Sequence, residues 1–263
     1  MNDFYLYRKS WRFNGAPHEE PQLQKAEWKS LLRQGGLLVR NTYKFDCQEE
    51  TRFWYVIKDT FKGMDELSSN ERNKVKRSFK SLSFKKIDIG LLKTKGWRIL
   101  KATYQDYAVS DRKMNESIFL DYLSECEKQS FDYWGVFDHE ELIGFSTVWL
   151  WSSGCCEYGL LGMLPNYKHN NTYPYYGLFQ AMNEHYLGER GFRYVADGAR
   201  SITEHSSIQD FLISNFNFRK AYCHLAVHYQ WWMWLAVKVL YPFRKIITIP
   251  QVKAILNMES MTR

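Results

Sequence analysis

The chain has 263 residues, room for one large domain or a domain with a sizeable extension, and its 10 Trp, 18 Tyr and 17 Phe suit an ample core plus an aromatic-lined cleft or surface. Five cysteines without a C-x-x-C pair argue against a disulfide framework and a zinc site, and they fit a reducing compartment. The start "MNDFYLYRKSWRFNG" lacks the apolar stretch of a signal peptide, and no uncharged apolar run nears the roughly 18 residues of a membrane span, so a cytoplasmic location is expected.

In chain order, "PQLQKAEWKSLLRQGG" has helical spacing at Leu23, Trp28, Leu31 and Leu32 and stops at Gly35 and Gly36. "GLLVRNTYKFDC" and "TRFWYVIKDTF" alternate like two strands joined by the acidic turn "CQEET". "SSNERNKVKRSFKSL" reads as a helix with Ser69 as its N-cap and Arg72 at the capping-box position. Arg72, Lys76 and Lys80 share one face of it, and Val75 and Phe79 share another. Between Glu71 and Lys101 there are 11 Lys and Arg against two acidic residues, Glu71 and Asp88, a surplus larger than the net +7 of the whole chain. Such a block is either a phosphate-attracting patch or a solvated helix face and strand edge.

"GWRILKATYQDY" reads as a strand, and "NESIFLDYLSECEKQ" as a helix with Ile118, Phe119, Tyr122 and Leu123 inward. "YWGVFDHEELIGFSTVWLW" is a hairpin turning at Asp138 to Glu141, and "CCEYGLLGML" is a third adjacent strand. "YPYYGLFQAMNEHYLGERG" is a helix with Pro174 in its first turn and Gly191 at its end. The strand "FRYVADG", the helix "SSIQDFLISNF" and the strand "FRKAYCHLAVHY" follow. Hairpins followed by a strand–helix–strand unit predict a mixed sheet of α/β or α+β type, with the strands around Leu160 and Val195 splayed apart.

That order, with these motifs, resembles the GNAT acyltransferase fold over about residues 96 to 229. "WGVFDHEELIGFSTVWLW" is similar to the family's central hairpin, around Gly144. "YYGLFQAMNEHYLGERGFRYVADG" is similar to its acyl-CoA helix and the strand after it, and "SSIQDFLISNFNFRKAY" to its late helix–turn segment, with Asn217 where a glycine is usual. "LSSNERNKVKRSFK" resembles the Fem-type peptidoglycan bridge transferases, which use aminoacyl-tRNA as donor and a lipid-linked acceptor. The resemblance implies a mostly antiparallel GNAT-like sheet with helices on both faces and an N-terminal extension. The expected division is 1–95 for the extension, 96–229 for the GNAT-like core and 230–263 for a Trp-rich tail.

The resemblance also implies sites. Acyl-CoA would lie against the third strand at Leu161 and Met163 and against Lys168, Asn170 and Asn171 in "NYKHNNTYPYYGLF". GNAT enzymes bind the CoA pyrophosphate with a glycine-rich loop at a helix N-terminus, whereas this stretch has Gly177 alone. Asn170 and Asn171 would shape an anion nest through left-handed backbone, or the loop is an ordinary polar one capped by Thr172. Glu157, a charge within an apolar strand, falls where the family often places a general base, and Tyr222 near its general acid. An edge-facing glutamate and a core tyrosine are the plainer alternatives.

The loop "DGARSITEH" follows a strand at the end where ligands are favoured. There Arg200 offers a donor fork for an anion, Ser201 and Glu204 further polar contacts, and His205 a base that titrates near neutral pH. Ser206 is read as the next helix's N-cap. Cys155 and Cys156 are read as buried structural thiols, and His224 and His228 as no metal pair. The tail "QWWMWLAVKVLYPFRKIITIP" is read either as a helix packed on the domain or as an interfacial segment holding the protein at the inner membrane face. The expected function is an acyl- or aminoacyl-type transfer onto an amine of a sugar or cell-envelope precursor, the acceptor small or lipid-linked, with tRNA considered as a partner but not favoured. The other reading is a non-catalytic protein binding RNA or anionic membrane.

Overall fold

The computed structural model describes residues 4–7, 9–105, 114–168, 170–202 and 207–262, without the side chains of 168 and 207. Its elements begin with β1 (Phe4–Tyr7), β2 (Ser10–Phe13), α1 (Lys25–Arg33), β3 (Leu38–Tyr43), β4 (Phe53–Lys58), α2 (Ser69–Ser81), β5 (Ser83–Lys86), α3 (Ile89–Leu91) and α4 (Trp97–Gln105). They continue with α5 (Glu116–Glu127), β6 (Phe131–Asp138), β7 (Glu141–Trp151), β8 (Cys155–Met163), α6 (Pro165–Lys168), α7 (Pro174–Asn183) and β9 (Tyr194–Ala199). The last are α8 (Ser207–Phe216), β10 (Arg219–Tyr229), α9 (Trp231–Leu240) and α10 (Pro250–Ser260). Two compact units result, one from Met1–Val56, Ala199–Asp210 and Arg219–Arg263, the other from Ile57–Gly198 and Phe211–Phe218.

In the first unit the strands run β1-β2-β3-β10-β4. β1–β2 and β3–β10 are antiparallel, and β2–β3 is parallel. β3 and β4 therefore both form, but they do not pair with each other, because β10 lies between them. The acidic stretch expected to be their turn is instead tied to β10. Thr51 Oγ1 donates to the Cys223 carbonyl at 2.8 Å, and Asp46 holds Arg219 through two bonds of 2.6 and 2.7 Å. The core of this unit joins Leu38, Phe53, Leu225 and Tyr229 of the sheet to Met233, Val237 and Leu256 of α9 and α10.

In the second unit the strands run β9-β8-β7-β6-β5. β5–β6, β6–β7 and β7–β8 are antiparallel, and β8–β9 is parallel. Both units are mixed α/β structures, mostly antiparallel in their sheets. The core of the second packs Leu92, Ile99, Leu100, Phe119, Leu123 and Phe145.

Four local expectations change. "GWRILKATYQDY" is not a strand over its described part: 97–105 is α4, entered through a π-helical turn, Leu92–Gly96. Its β-branched and aromatic residues favour strand, but Ile99, Leu100 and Thr103 are the buried ones, the one-and-four spacing of a helix. The N-cap of α2 is Ser68, not Ser69, with its hydroxyl accepting from the Glu71 amide at 3.4 Å. That shift by one puts a glutamate, rather than Arg72, three residues after the cap. Phe79 of α2 is 45% exposed, and Ile118 of α5 is 50% exposed. The inward set of α5 is Phe119, Leu123 and Cys126, with Tyr122 packed against the same core as expected.

All five cysteines are free, four of them buried. Among the described residues no helix is long and apolar enough to cross a membrane.

Candidate functional site

β8 and β9 pair only over Cys155↔Tyr194, Cys156↔Val195 and Glu157↔Ala196, while β8 continues to Met163 and β9 to Ala199. The two strands thus part just beyond Glu157. Glu157 is half-buried there. Gly198 has φ +78°, and a Cβ on it would lie 3.3 Å from Glu157 Oε1. The glycine supplies both the left-handed backbone and the room for the carboxylate. Asp197, the residue between, is half-buried, and its pKa stands well above the usual carboxylate range. Burial is the larger cause, and the charge of Glu157 adds to it. Two acidic residues therefore stand where the strands part, Glu157 against Gly198 and Asp197 one residue before that glycine.

The neighbouring backbone is shaped by a bulge. The β7–β8 register shifts between Ser146 and Val148, which places Thr147 against Gly159 and Leu160. The buried Thr147 hydroxyl accepts from the Leu160 amide and meets the Tyr122 hydroxyl, both at 2.8 Å. Behind Glu157, the Tyr158 hydroxyl donates to Asn183 Oδ1 of α7 at 2.8 Å.

The segment expected to hold a CoA pyrophosphate engages its polar groups internally. Leu161 is half-buried opposite Ser146. Met163 is buried, and its amide donates to the Thr103 hydroxyl at 2.9 Å. Asn170 folds back on itself, its Oδ1 accepting from both the amide and the hydroxyl of Thr172. Asn171 Oδ1 accepts from Tyr173 at 3.3 Å. The left-handed residue is therefore Tyr173, at φ 51°, because Asn170 is held in its own turn. Pro174 at N1 removes one donor from the mouth of α7, and the Tyr176 amide is already bonded to the Tyr173 carbonyl.

Gly177 lies inside α7, not in the loop. A Cβ there would fall 2.2 Å from Phe84 and 2.5 Å from Ser78 Oγ, so this glycine serves packing against α2 and β5. Among the described residues the donor set at this helix end does not fit a glycine-loop pyrophosphate cradle. The Lys168 side chain lies outside the described residues.

The other expected residues belong to the first unit. Arg200 donates from its amide to the Trp54 carbonyl at 2.8 Å and from Nη1 to the Arg52 carbonyl at 2.6 Å. Its guanidinium lies 4.2 Å over the Trp54 ring, and Lys220 lies 4.3 Å over the same ring. Burial, then the charge of Arg52, lowers the Arg200 pKa from its ordinary value. Tyr222 meets Trp54 edge-on at 6.0 Å and donates to Glu50 at 3.0 Å. The structure thus brings Arg200 and Tyr222 onto one tryptophan. Ser201 is half-buried in the same loop, while Glu204, His205 and Ser206 lie outside the described residues.

Sequence reading passed over Asp197, Thr147 and Trp54. Asp197 carried a signal, since "VADG" places a charge in an apolar strand as "CCEYG" does.

The basic run is partly neutralised within the second unit. Lys86 pairs with Asp132, Lys93 with Glu127 and Arg98 with Glu141, at 2.6, 2.6 and 2.8 Å. Among the described residues no group of three His, Cys, Asp or Glu is placed to hold a metal ion.

No protein-family profile matches the chain, and no curated protein matches it in sequence. Solved structures do. A C-terminal domain assigned to a lysylphosphatidylglycerol synthetase from Agrobacterium fabrum superposes with a TM-score of 0.52 at 12% identity, over 90% of this chain and 84% of that one. FemX superposes with a TM-score of 0.52 at 10% identity, over 77% of this chain and 68% of that one. L-PGS from Bacillus licheniformis superposes with a TM-score of 0.52 at 11% identity, over 99% of this chain and 85% of that one. The chain has a remote GNAT-like fold with Fem-type likeness.

Proposed function

We propose that the protein is an acyl- or aminoacyl-type transferase that acts on an amine of a cell-envelope precursor, with the Glu157–Asp197 pair managing the proton. The observation that carries this reading is the parting of β8 and β9 just beyond Glu157, where Gly198 leaves room for the Glu157 carboxylate and Asp197 precedes that glycine. The fold supports it only by likeness, since FemX and the lysylphosphatidylglycerol synthetases share it at 10–12% identity.

An acceptor amine is an ammonium at neutral pH and must lose a proton before its nitrogen attacks a donor carbonyl. A carboxylate whose conjugate acid is unusually weak is a stronger base than an ordinary one. Asp197 has that property, through burial first and the charge of Glu157 second. The attack forms the new C–N bond and breaks the bond from the carbonyl carbon to the carrier. The nitrogen gives up two protons in all, one to the carboxylate and the other to the carrier, which leaves with the electron pair. Because the described residues at the mouth of α7 form no pyrophosphate cradle, the reading favours an aminoacyl donor over acyl-CoA. The exposed Lys76, Arg77 and Lys80 of α2, which packs on α7, offer an alternative contact for its phosphates.

Single-turnover transfer from labelled aminoacyl-tRNAs and acyl-CoAs to lipid-linked and soluble amines tests this. Glu157→Gln and Asp197→Asn should each slow transfer at least ~100-fold, the usual scale for losing a proton acceptor. Transfer at the wild-type rate by both variants, or no transfer from any donor by the wild type, removes the reading.

A further inference from the structure

We propose that α9 and the segment after it dock the protein on the surface of an anionic phospholipid bilayer, with tryptophans at headgroup depth and lysines on lipid phosphates. This rests on the first unit alone and is independent of the transferase reading.

Only Met233 and Val237 of α9 are buried, one turn apart on a narrow inward stripe. Around the rest of the helix Trp231 is 76% exposed, Trp232 49% and Trp234 48%. The exposure continues along the same stretch of chain through Leu235, Val239, Phe243, Ile246 and Ile249, the isoleucines at 74% and 59%. A folded protein scatters single apolar residues over its surface, whereas a continuous apolar face marks a binding surface. The folded chain leaves this one open to whatever it binds.

Charge selects the occupant. From Gln230 to Met258 the sequence has Lys238, Arg244, Lys245 and Lys253 and no Asp or Glu. A second copy of the chain would bring these cations against their own counterparts with no acid in the segment to meet them. An anionic bilayer meets them instead. Lys238 lies 3.8 Å over the Trp234 ring, the pairing of indole and cation that suits the headgroup layer. Arg244 is turned partly inward, over Tyr241 and onto its carbonyl at 3.2 Å, so Lys238 and Lys245 are the outward charges.

At the start of α9, Trp28, Lys29, Arg33, His228, Trp231 and Trp234 line a groove of about 560 Å³. Trp28 and His228 stack flat at 4.7 Å as one wall. The groove extends the same chemistry, indoles beside cations, from the helix onto α1. With 10 residues α9 is too short to span hydrocarbon, so the segment lies in the interface rather than across it.

Full-length protein is spun with vesicles of phosphatidylcholine alone and of phosphatidylcholine with phosphatidylglycerol, at low and high salt. The wild type should pellet with the anionic vesicles at low salt and at least tenfold less with the neutral vesicles or at high salt. The variant Trp231→Ser/Leu235→Ser/Ile246→Ser should bind at least tenfold more weakly with its melting temperature unchanged. Quenching of wild-type tryptophan fluorescence by brominated lipids should accompany binding, and it decides the matter if that variant fails to fold. Wild type that stays in the supernatant overturns the proposal, as does absent quenching. So does a concentration-dependent dimer that the triple variant abolishes, which would make the face an interface between copies.

Discussion

Asp197 has its charge opposed by burial first and by Glu157 second, and a consequence for stability follows. In the unfolded chain an aspartate titrates near about 3.9. With the folded value raised, folding is fully supported below that pH, and support is lost as pH rises toward and through the folded pKa. Asp197→Asn does not titrate, so its melting temperature minus that of the wild type should grow as pH rises above about 4. A flat difference in matched calorimetric scans removes the electrostatic argument, whatever the variant does to activity. Arg200 carries a second expectation. Its bond to the Arg52 carbonyl and its seat on Trp54 make it a strut between a loop and a strand. Arg200→Ala should therefore destabilise by about 1–2 kcal/mol in urea unfolding, beyond any effect on ligand binding. Glu157 was legible because an acid inside an apolar strand stands out. Asp197 carried the same signal, masked by its place before Gly198, because Asp before Gly also reads as turn chemistry, and it lies in β9 one residue past the pairing with β8.

The bulge between β7 and β8 makes one hydroxyl responsible for an element. Thr147 is fully buried, and it satisfies the Leu160 amide while meeting the Tyr122 hydroxyl. Thr147→Val keeps the shape and removes the oxygen, so an amide and a phenol lose their partner. The expected loss is about 1–3 kcal/mol, with β8 amides near Leu160 exchanging faster than those of β6. A loss confined to a few tenths, with no local exchange, would show that water replaces the hydroxyl. The elements that local pattern specifies were legible: the β6–β7 hairpin turns at His139, α7 starts at Pro174, and Gly191 follows its π-helical end. Two elements escaped for physical reasons. α4 has strand-forming residues, and its burial against α5 and β7 decides in favour of helix. β3 and β4 are close in sequence, yet β10 from the far end of the chain pairs with β3 between them, a non-local choice that no window of sequence contains.

At the scale of the molecule, charges that look like a patch in sequence are met by acids distant in sequence, as Lys86, Lys93 and Arg98 show. The tail is the opposite case, basic and apolar in sequence and still so when folded. Its two faces should differ sharply in what they contribute. Leu256 is 1% exposed and packs with Met233, Val237 and the sheet residues Leu225 and Tyr229. Leu256→Ala leaves a cavity there and should cost about 2–5 kcal/mol. Ile246 is 74% exposed, so Ile246→Ser should change stability by about 0.5 kcal/mol or less. Both variants are measured by urea midpoints at equal slope, without lipid. The contrast separates the two readings of the tail that the sequence left open. If Ile246→Ser costs as much as Leu256→Ala, the outer face is covered in the folded protein, and a bilayer has nothing to grip. If only Leu256→Ala destabilises, the same segment closes the core of the first unit with one face and keeps the other for a surface outside the protein.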